Sequence, residues 1–334
     1  MSSYFYSRLD RQGQAAYKRT VDAISSRKAA VEVGRMGAQE FQEIIKRVSF
    51  DRPEYFFVNF QELRMYSVPG LGMVWQVYYW YRGPALEQAV QNMEGEIQRV
   101  VRGATSVRQD SVLDTCRWIH NYLVRNVRYN DAALKNSAQY PEAYTIEGVF
   151  KQGTAVCEGI AKAVTLLGDR LGVELPAVYG MGLSDQAGLD GPHAWNLFCL
   201  DGVYAHLDVT WNICLSRPLR YTRYDYFGLS DRDISADHAF EREIVAECAE
   251  NSRLSYFEWT GTLLANRRQC EQYVEGRFRQ KKTVVYFKYQ PAKRLPAGIG
   301  KKMDALVVGK AEECFQTGFT VHMAPNLPQG VFFY

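Results

Sequence analysis

No apolar run in this chain reaches the roughly 18 residues that a membrane-spanning helix needs, so no membrane segment is expected. The start, Met1-Ser-Ser-Tyr-Phe-Tyr-Ser-Arg8, lacks the apolar stretch of a secretory signal. The seven cysteines include no Cys-x-x-Cys pair. That excludes zinc-ribbon spacing, and the odd count argues against a disulfide framework. A reduced, cytoplasmic setting is the expectation, with at least one free thiol to account for. Internal repeats and low-complexity tracts are missing as well. What remains is ordinary: 334 residues, 47% hydrophobic and 23% charged. A chain of that length buries on the order of 75% of its unfolded surface, enough to fold without staples. Disorder, collagen and coiled coil are excluded.

The net charge of +3 is a sum of opposites. Residues 261–334 carry 12 Lys/Arg and 5 Asp/Glu, a balance of +7; the other 260 carry 28 and 32, a balance of −4. No nucleic-acid motif accompanies the basic segment, so it reads as a solvated basic surface and no nucleic-acid partner is expected.

Helical spacing runs through residues 7–48, broken near Gly34 and Gly37, and returns at 85–101, 106–127 and 155–171. Strands are expected at 63–66, 73–80, 177–182, 193–200 and 203–211, with a polar loop over 131–144. Near the C-terminus, 283–289 reads as β, 302–315 as a short helix and 318–323 as a final strand. Helices first and strands later, without βαβ alternation, predict an α+β fold. The expected division is an N-terminal helical and β extension over 1–104, a catalytic core over 105–245 and a basic, partly β extension over 246–334.

Within Gln152-Gly-Thr-Ala-Val-Cys157-Glu-Gly-Ile-Ala, the helical face of Ile160, Val164, Leu167 and Leu171 places Cys157 in the first turn. A helix N-terminus favours a thiolate. Gly159 lets another segment come close to that turn. Taken alone, Cys157 reads first as a small buried hydrophobe, the commoner fate of an intracellular cysteine. Asp201-Gly202, flanked by two strand-like runs, signals a type I′ hairpin in which Leu200 opposes Val203. That register makes His193 and Asp208 diagonal neighbours on one face, about 7–8 Å apart at the backbone. Thiol, imidazole and carboxylate together form a Cys-His-Asp set: a nucleophile, the base that takes its proton, and the acid that orients the base. The Cys157 N–H is a natural oxyanion donor. Tyr144 and Gln152 are candidates for the second donor, and Trp195 and Trp211 for walls of the site. His206 reads as packed or partly exposed, and Asp237-His238 as a structural polar contact. His193, Cys199, His206 and Cys214 are spaced by 6, 7 and 8 residues, which matches no standard zinc module. No metal and no cofactor are expected.

At Ala155-Val-Cys-Glu-Gly-Ile-Ala-Lys-Ala163, His193-Ala-Trp-Asn196 and His206-Leu-Asp-Val-Thr-Trp211 the sequence resembles the transglutaminase-like superfamily, in the family's order of Cys, His and Asp. Ile119-His-Asn-Tyr-Leu123, Val127-Arg-Tyr-Asn130, Asp237-His238 and Asp51-Arg-Pro-Glu-Tyr-Phe-Phe-Val58 add to it. The resemblance is most specific over 105–245. It implies a papain-related core, with the cysteine helix packed on an antiparallel sheet carrying His and Asp. It also implies acyl transfer through a thioester, with Cys157 as nucleophile, His193 as base and Asp208 as its orienter. Val156 and Glu158 stand where animal cross-linking enzymes have Gln and Trp, and no calcium loop of their kind is visible. The expected function is therefore hydrolysis of a peptide or related amide, with a protein or peptide as substrate. A protein-glutamine transglutaminase or deamidase, an arylamine N-acetyltransferase-like acyltransferase and a non-catalytic peptide-binding scaffold stay open. The sequence leaves the oligomeric state unassigned.

Overall fold

The computed structural model describes residues 3–106, 111–183, 190–250, 252–290, 295–315 and 320–334. The chain forms two units: Met1–Arg223 with His238–Cys248, and Tyr224–Asp237 with Ala249–Tyr334. Among the described residues, no helix is long and apolar enough to cross a membrane.

The first unit begins with α1 (Arg11–Ser25), β1 (Ala30–Gly34), α2 (Ala38–Asp51), β2 (Arg64–Val68) and β3 (Gly72–Gln76). Then come α3 (Pro84–Thr105), α4 (Val112–Asn126), β4 (Arg128–Tyr129), α5 (Asp131–Lys135) and β5 (Thr154–Ala155). It continues with α6 (Cys157–Leu171), β6 (Ala177–Gly182), β7 (Gly191–Leu200), β8 (Val203–Leu207) and α7 (Val209–Leu219). β9 (Phe227–Leu229) and α8 (Asp231–Ile234) belong to the second unit, after which the chain returns to the first with β10 (His238–Ala239).

Several boundaries differ from the sequence expectation. The strand expected over 73–80 ends at Gln76. The helical span over 7–48 is split by β1, where Val31 and Val33 alternate with exposed residues and the strand pairs antiparallel with β3. Two-residue alternation outweighs helical spacing over so short a run. Expected as a loop, 131–144 carries α5 and short 3-10 turns. The helix expected over 106–127 starts at Val112, capped by Ser111; residues 107–110 lie outside the described ones. The strand expected over 203–211 ends at Leu207, because the Asp208 carboxylate accepts from Trp211 N at 3.0 Å and caps α7 instead.

Strands of the first unit lie in the order β10-β6-β7-β8, each antiparallel to its neighbour. The β7–β8 hairpin keeps the predicted register from Leu200↔Val203 to Asn196↔Leu207. Asp201 and Gly202 turn it with φ of 52° and 80°, the two positive values a type I′ turn requires. α6 packs on this sheet, and Asn196 ties the two together. Its amide nitrogen donates to Ala161 O at 3.0 Å, and to Thr165 Oγ1 and Leu175 O at 3.2 Å. Ala161, Val178, Trp195 and Leu197 form the core between them, closed by Tyr4 and Phe5.

In the second unit β11 (Leu263–Leu264) runs parallel to β12 (Tyr286–Tyr289), which pairs antiparallel with β13 (Val331–Phe333). Its helices include α9 (Tyr256–Trp259), α10 (Arg267–Arg279) and α11 (Ile299–Phe315). Val274, Phe287, Met303 and Phe332 lie in its own core. Of the strand expected over 318–323, residues 318–319 fall outside the described ones; 320–323 are irregular, and the last strand is β13. Helices and largely antiparallel sheets make the chain α+β.

Candidate active site

α6 begins at Cys157 because Val156 is still extended, with ψ of 176°. Its first turn is backed by the segment before it: a Cβ on Gly159 would lie 2.4 Å from the Ala143 carbonyl and 2.8 Å from that of Thr145. Only a residue without a side chain admits that approach. The Lys162 ammonium, paired with Glu158 at 2.6 Å, donates to the Tyr144 carbonyl at 3.4 Å and holds the same segment in place.

His193, on β7, donates from Nε2 to Asp208 Oδ2 at 2.8 Å. The Cys157 side chain also acts on this imidazole, and with Nε2 engaged by Asp208 the nitrogen left for a sulfur partner is Nδ1. The hairpin thus gives the imidazole its carboxylate, and the start of α6 supplies the cysteine. Asp208 has no exposed surface, and Cys157 is 8% exposed. Burial works against the His193 imidazolium, but the Asp208 charge and hydrogen bond, with Cys157 added, hold its pKa up to about 10. Burial alone would raise the Asp208 carboxyl; the His193 charge and the hydrogen bonds from His193 and His238 hold it well below the usual carboxylate range.

Two further side chains reach this group. Tyr129, on β4, lies near Cys157, and burial first, then the Cys157 charge, holds its phenol well above the usual range. It arrives through the parallel pairing of Tyr129 with Ala155. His238, on β10, places Nε2 3.1 Å from Asp208 Oδ2. Tyr129 had no role from sequence because nothing local reveals a two-residue parallel pairing; its only signal was the Val127-Arg-Tyr-Asn130 resemblance. His238 was visible only as half of Asp237-His238. The two part company: Asp237 accepts from Tyr226 Oη at 2.7 Å and Gln329 Nε2 at 3.1 Å within the second unit.

Trp195 stacks on His193 with ring centroids 5.8 Å apart, and Trp211 lies 5.6 Å from it. Trp195 donates its indole N–H to His206 Nδ1 at 2.9 Å, so His206, fully buried, supports that wall from behind. Tyr144 lies close enough for the charges of Glu158 and Cys157 to add to burial in raising its phenol, and its hydroxyl donates to the Ala133 carbonyl at 3.1 Å. Gln152 is exposed and lines a cleft of about 310 Å³ with Phe56, Trp80, Tyr81, Glu142 and Glu147. Burial pushes Cys116, Cys214 and Cys270 up to about 12, which makes them poor nucleophiles at neutral pH.

His193, Asp208 and His238 bring their donor atoms within 4.8 Å of one another. That spacing suits a divalent ion as well as a hydrogen-bond cluster, and hydrogen bonds account for the contacts observed. Chemically the arrangement can hold a proton between sulfur and imidazole, keep the imidazolium charged beside a buried carboxylate, and pass the proton to a leaving group.

Residues 98–209, which contain Cys157, His193 and Asp208, match the family model of the transglutaminase-like superfamily. No curated protein matches the chain. Among solved structures, one described as a TGase is 14% identical with a TM-score of 0.30, covering 53% of this chain and 48% of its own. Another, described as "a Putative Cysteine Protease from Cytophaga hutchinsonii", is 13% identical with a TM-score of 0.26, covering 45% and 61%. The chain therefore spans about half the length of the first and under two thirds of the second. The likeness to the transglutaminase-like superfamily thus rests on residues 98–209 of this α+β chain.

Proposed function

We propose that this protein is a cysteine-dependent acyl-transfer enzyme that hydrolyses a peptide or related amide bond. The observation that carries this is the buried His193 ring, hydrogen-bonded to Asp208 at 2.8 Å, with Cys157 near enough to act on the same imidazole. The Cys157 thiolate attacks the amide carbon and forms a C–S bond. The oxyanion that develops is met by the Cys157 N–H at the start of α6 and, in this account, by the Tyr129 hydroxyl rather than by Tyr144 or Gln152. The His193 imidazolium gives its proton to the leaving nitrogen and the C–N bond breaks. A water molecule, deprotonated by His193, then attacks the thioester, releasing the acid and the thiol. Asp208 stays ionised throughout and keeps the ring oriented.

The test is to incubate the protein with a peptide library and sequence the new termini. Cleavage by the wild type and none by Cys157→Ala is the expected result. Incorporation of a biotinylated primary amine at glutamine, without cleavage, would replace hydrolysis by transamidation. Neither reaction, from a wild-type protein whose Cys157 alkylates normally as a free thiol, would leave only a binding scaffold.

A further inference from the structure

Asp208 carries two imidazoles, not one. His238 Nε2 lies 3.1 Å from the same oxygen that His193 holds at 2.8 Å, while Trp211 N holds the other oxygen at 3.0 Å. The three donors come from β7, β10 and the first turn of α7, so the carboxylate is fixed from three directions. An orienting carboxylate is useful only if it cannot rotate.

The surroundings are built around the second ring. β10 pairs with β6 through His238↔Gly182 and Ala239↔Met181. A Cβ on Gly180 would lie 2.2 Å from the Ala239 carbonyl and 2.9 Å from the Trp195 ring, so glycine at that point is what lets β10 come in. The His238 ring then packs 4.2 Å from Trp211 and 5.2 Å from Trp195, the two tryptophans that also flank His193. Its own orientation is therefore locked by packing. Among the groups facing it are Asp208, His193 at 5.4 Å between ring centroids, and these two indoles.

We propose that His238 is a positioning residue: its Nε2–H donates to Asp208 Oδ2 and fixes the carboxylate against which His193 is oriented. It acts through Asp208, and the proposal rests on Cys157 being the nucleophile. Without this donor, Asp208 Oδ2 is held by His193 alone and the imidazolium that supports the thiolate is less well held.

The test is the rate of Cys157 carbamidomethylation by iodoacetamide between pH 5 and 10, followed by peptide mass spectrometry. It compares wild type, His238→Leu and His238→Gln, each checked for native circular dichroism. The Leu variant removes the donor at similar size; Gln restores an N–H close to the Nε2 position. We expect the Leu variant to lose about tenfold or more of the wild-type rate at pH 6, with its profile displaced to higher pH, and the Gln variant to keep most of it. A Leu profile that superimposes on the wild type overturns the proposal. So does a Gln variant as impaired as Leu, which makes the role purely structural. Should the Leu variant not fold, nitrogen chemical shifts of His238 in the wild type decide: a protonated Nε2 at pH 7 supports the donor role, and a bare Nε2 overturns it. Failure of the nucleophile itself is separate, because it appears as a wild type unreactive at pH 6.

Discussion

Asp208 uses its two oxygens differently. Oδ1 caps α7 through Trp211 N, and Oδ2 accepts from His193 and His238. An asparagine there keeps a cap acceptor but loses the charge that supports the imidazolium. Asp208→Asn is therefore expected to fold, to unfold at a Tm closer to the wild type than Asp208→Ala does, and to lose on the order of 10³-fold or more in turnover of a cleaved peptide. Tyr129→Phe removes the hydroxyl beside the sulfur while keeping the ring. Its expected effect is a fall of about 10²-fold in kcat with little change in KM; a KM effect alone would assign the hydroxyl to binding. The His193–Asp208 pair was legible in the sequence because it depends only on a tight hairpin, whose register Asp201-Gly202 sets. Tyr129 and His238 were not, because one depends on a parallel pairing of distant residues and the other on a strand added after an excursion through the second unit.

At the scale of elements, the site is the meeting of α6 with β7. Asn196 joins them, and both its hydrogens serve buried acceptors on α6 and on the residue leading into β6. Asn196→Ala leaves Ala161 O and Leu175 O with fewer partners and is expected to cost about 1–3 kcal/mol, read as a lower midpoint in urea unfolding. A midpoint equal to that of the wild type would mean the helix is held by apolar packing alone. The start of α6 has a different constraint. Gly159→Ala sets a methyl 2.4 Å from the Ala143 carbonyl, so the segment backing Cys157 must shift. Activity should fall further than stability, checked by kcat beside Tm. The sequence signalled both features, Gly159 by its place in the same first turn as the thiol and α6 by its spacing. It misplaced the end of β8, because the same Asp208 that continues a strand pattern is also a strong helix cap.

At the scale of the whole molecule, the buried pair ties folding to pH. The His193 pKa rises from 6.5 to about 10 on folding, so the folded state holds a proton that the unfolded state releases across that interval. The contribution is present in full below about pH 6.5 and is lost as pH rises toward 10. On the acid side Asp208, depressed from 3.8, contributes above about that pH and loses its contribution as pH falls below it. Tm should decline between pH 6.5 and 10 more steeply in the wild type than in His193→Gln; equal slopes would mean the imidazole is neutral in the folded state. The basic residues 261–334 lie in the second unit.

The most direct measurement is the pH dependence of Cys157 alkylation in the wild type and in His193→Ala, mapped to the residue by mass spectrometry. Rapid modification of Cys157 at pH 6 in the wild type, lost in His193→Ala, is the predicted result. A thiol that alkylates only near the pH of an ordinary cysteine, or equally in both proteins, would contradict the assignment of Cys157, His193 and Asp208 as one catalytic group.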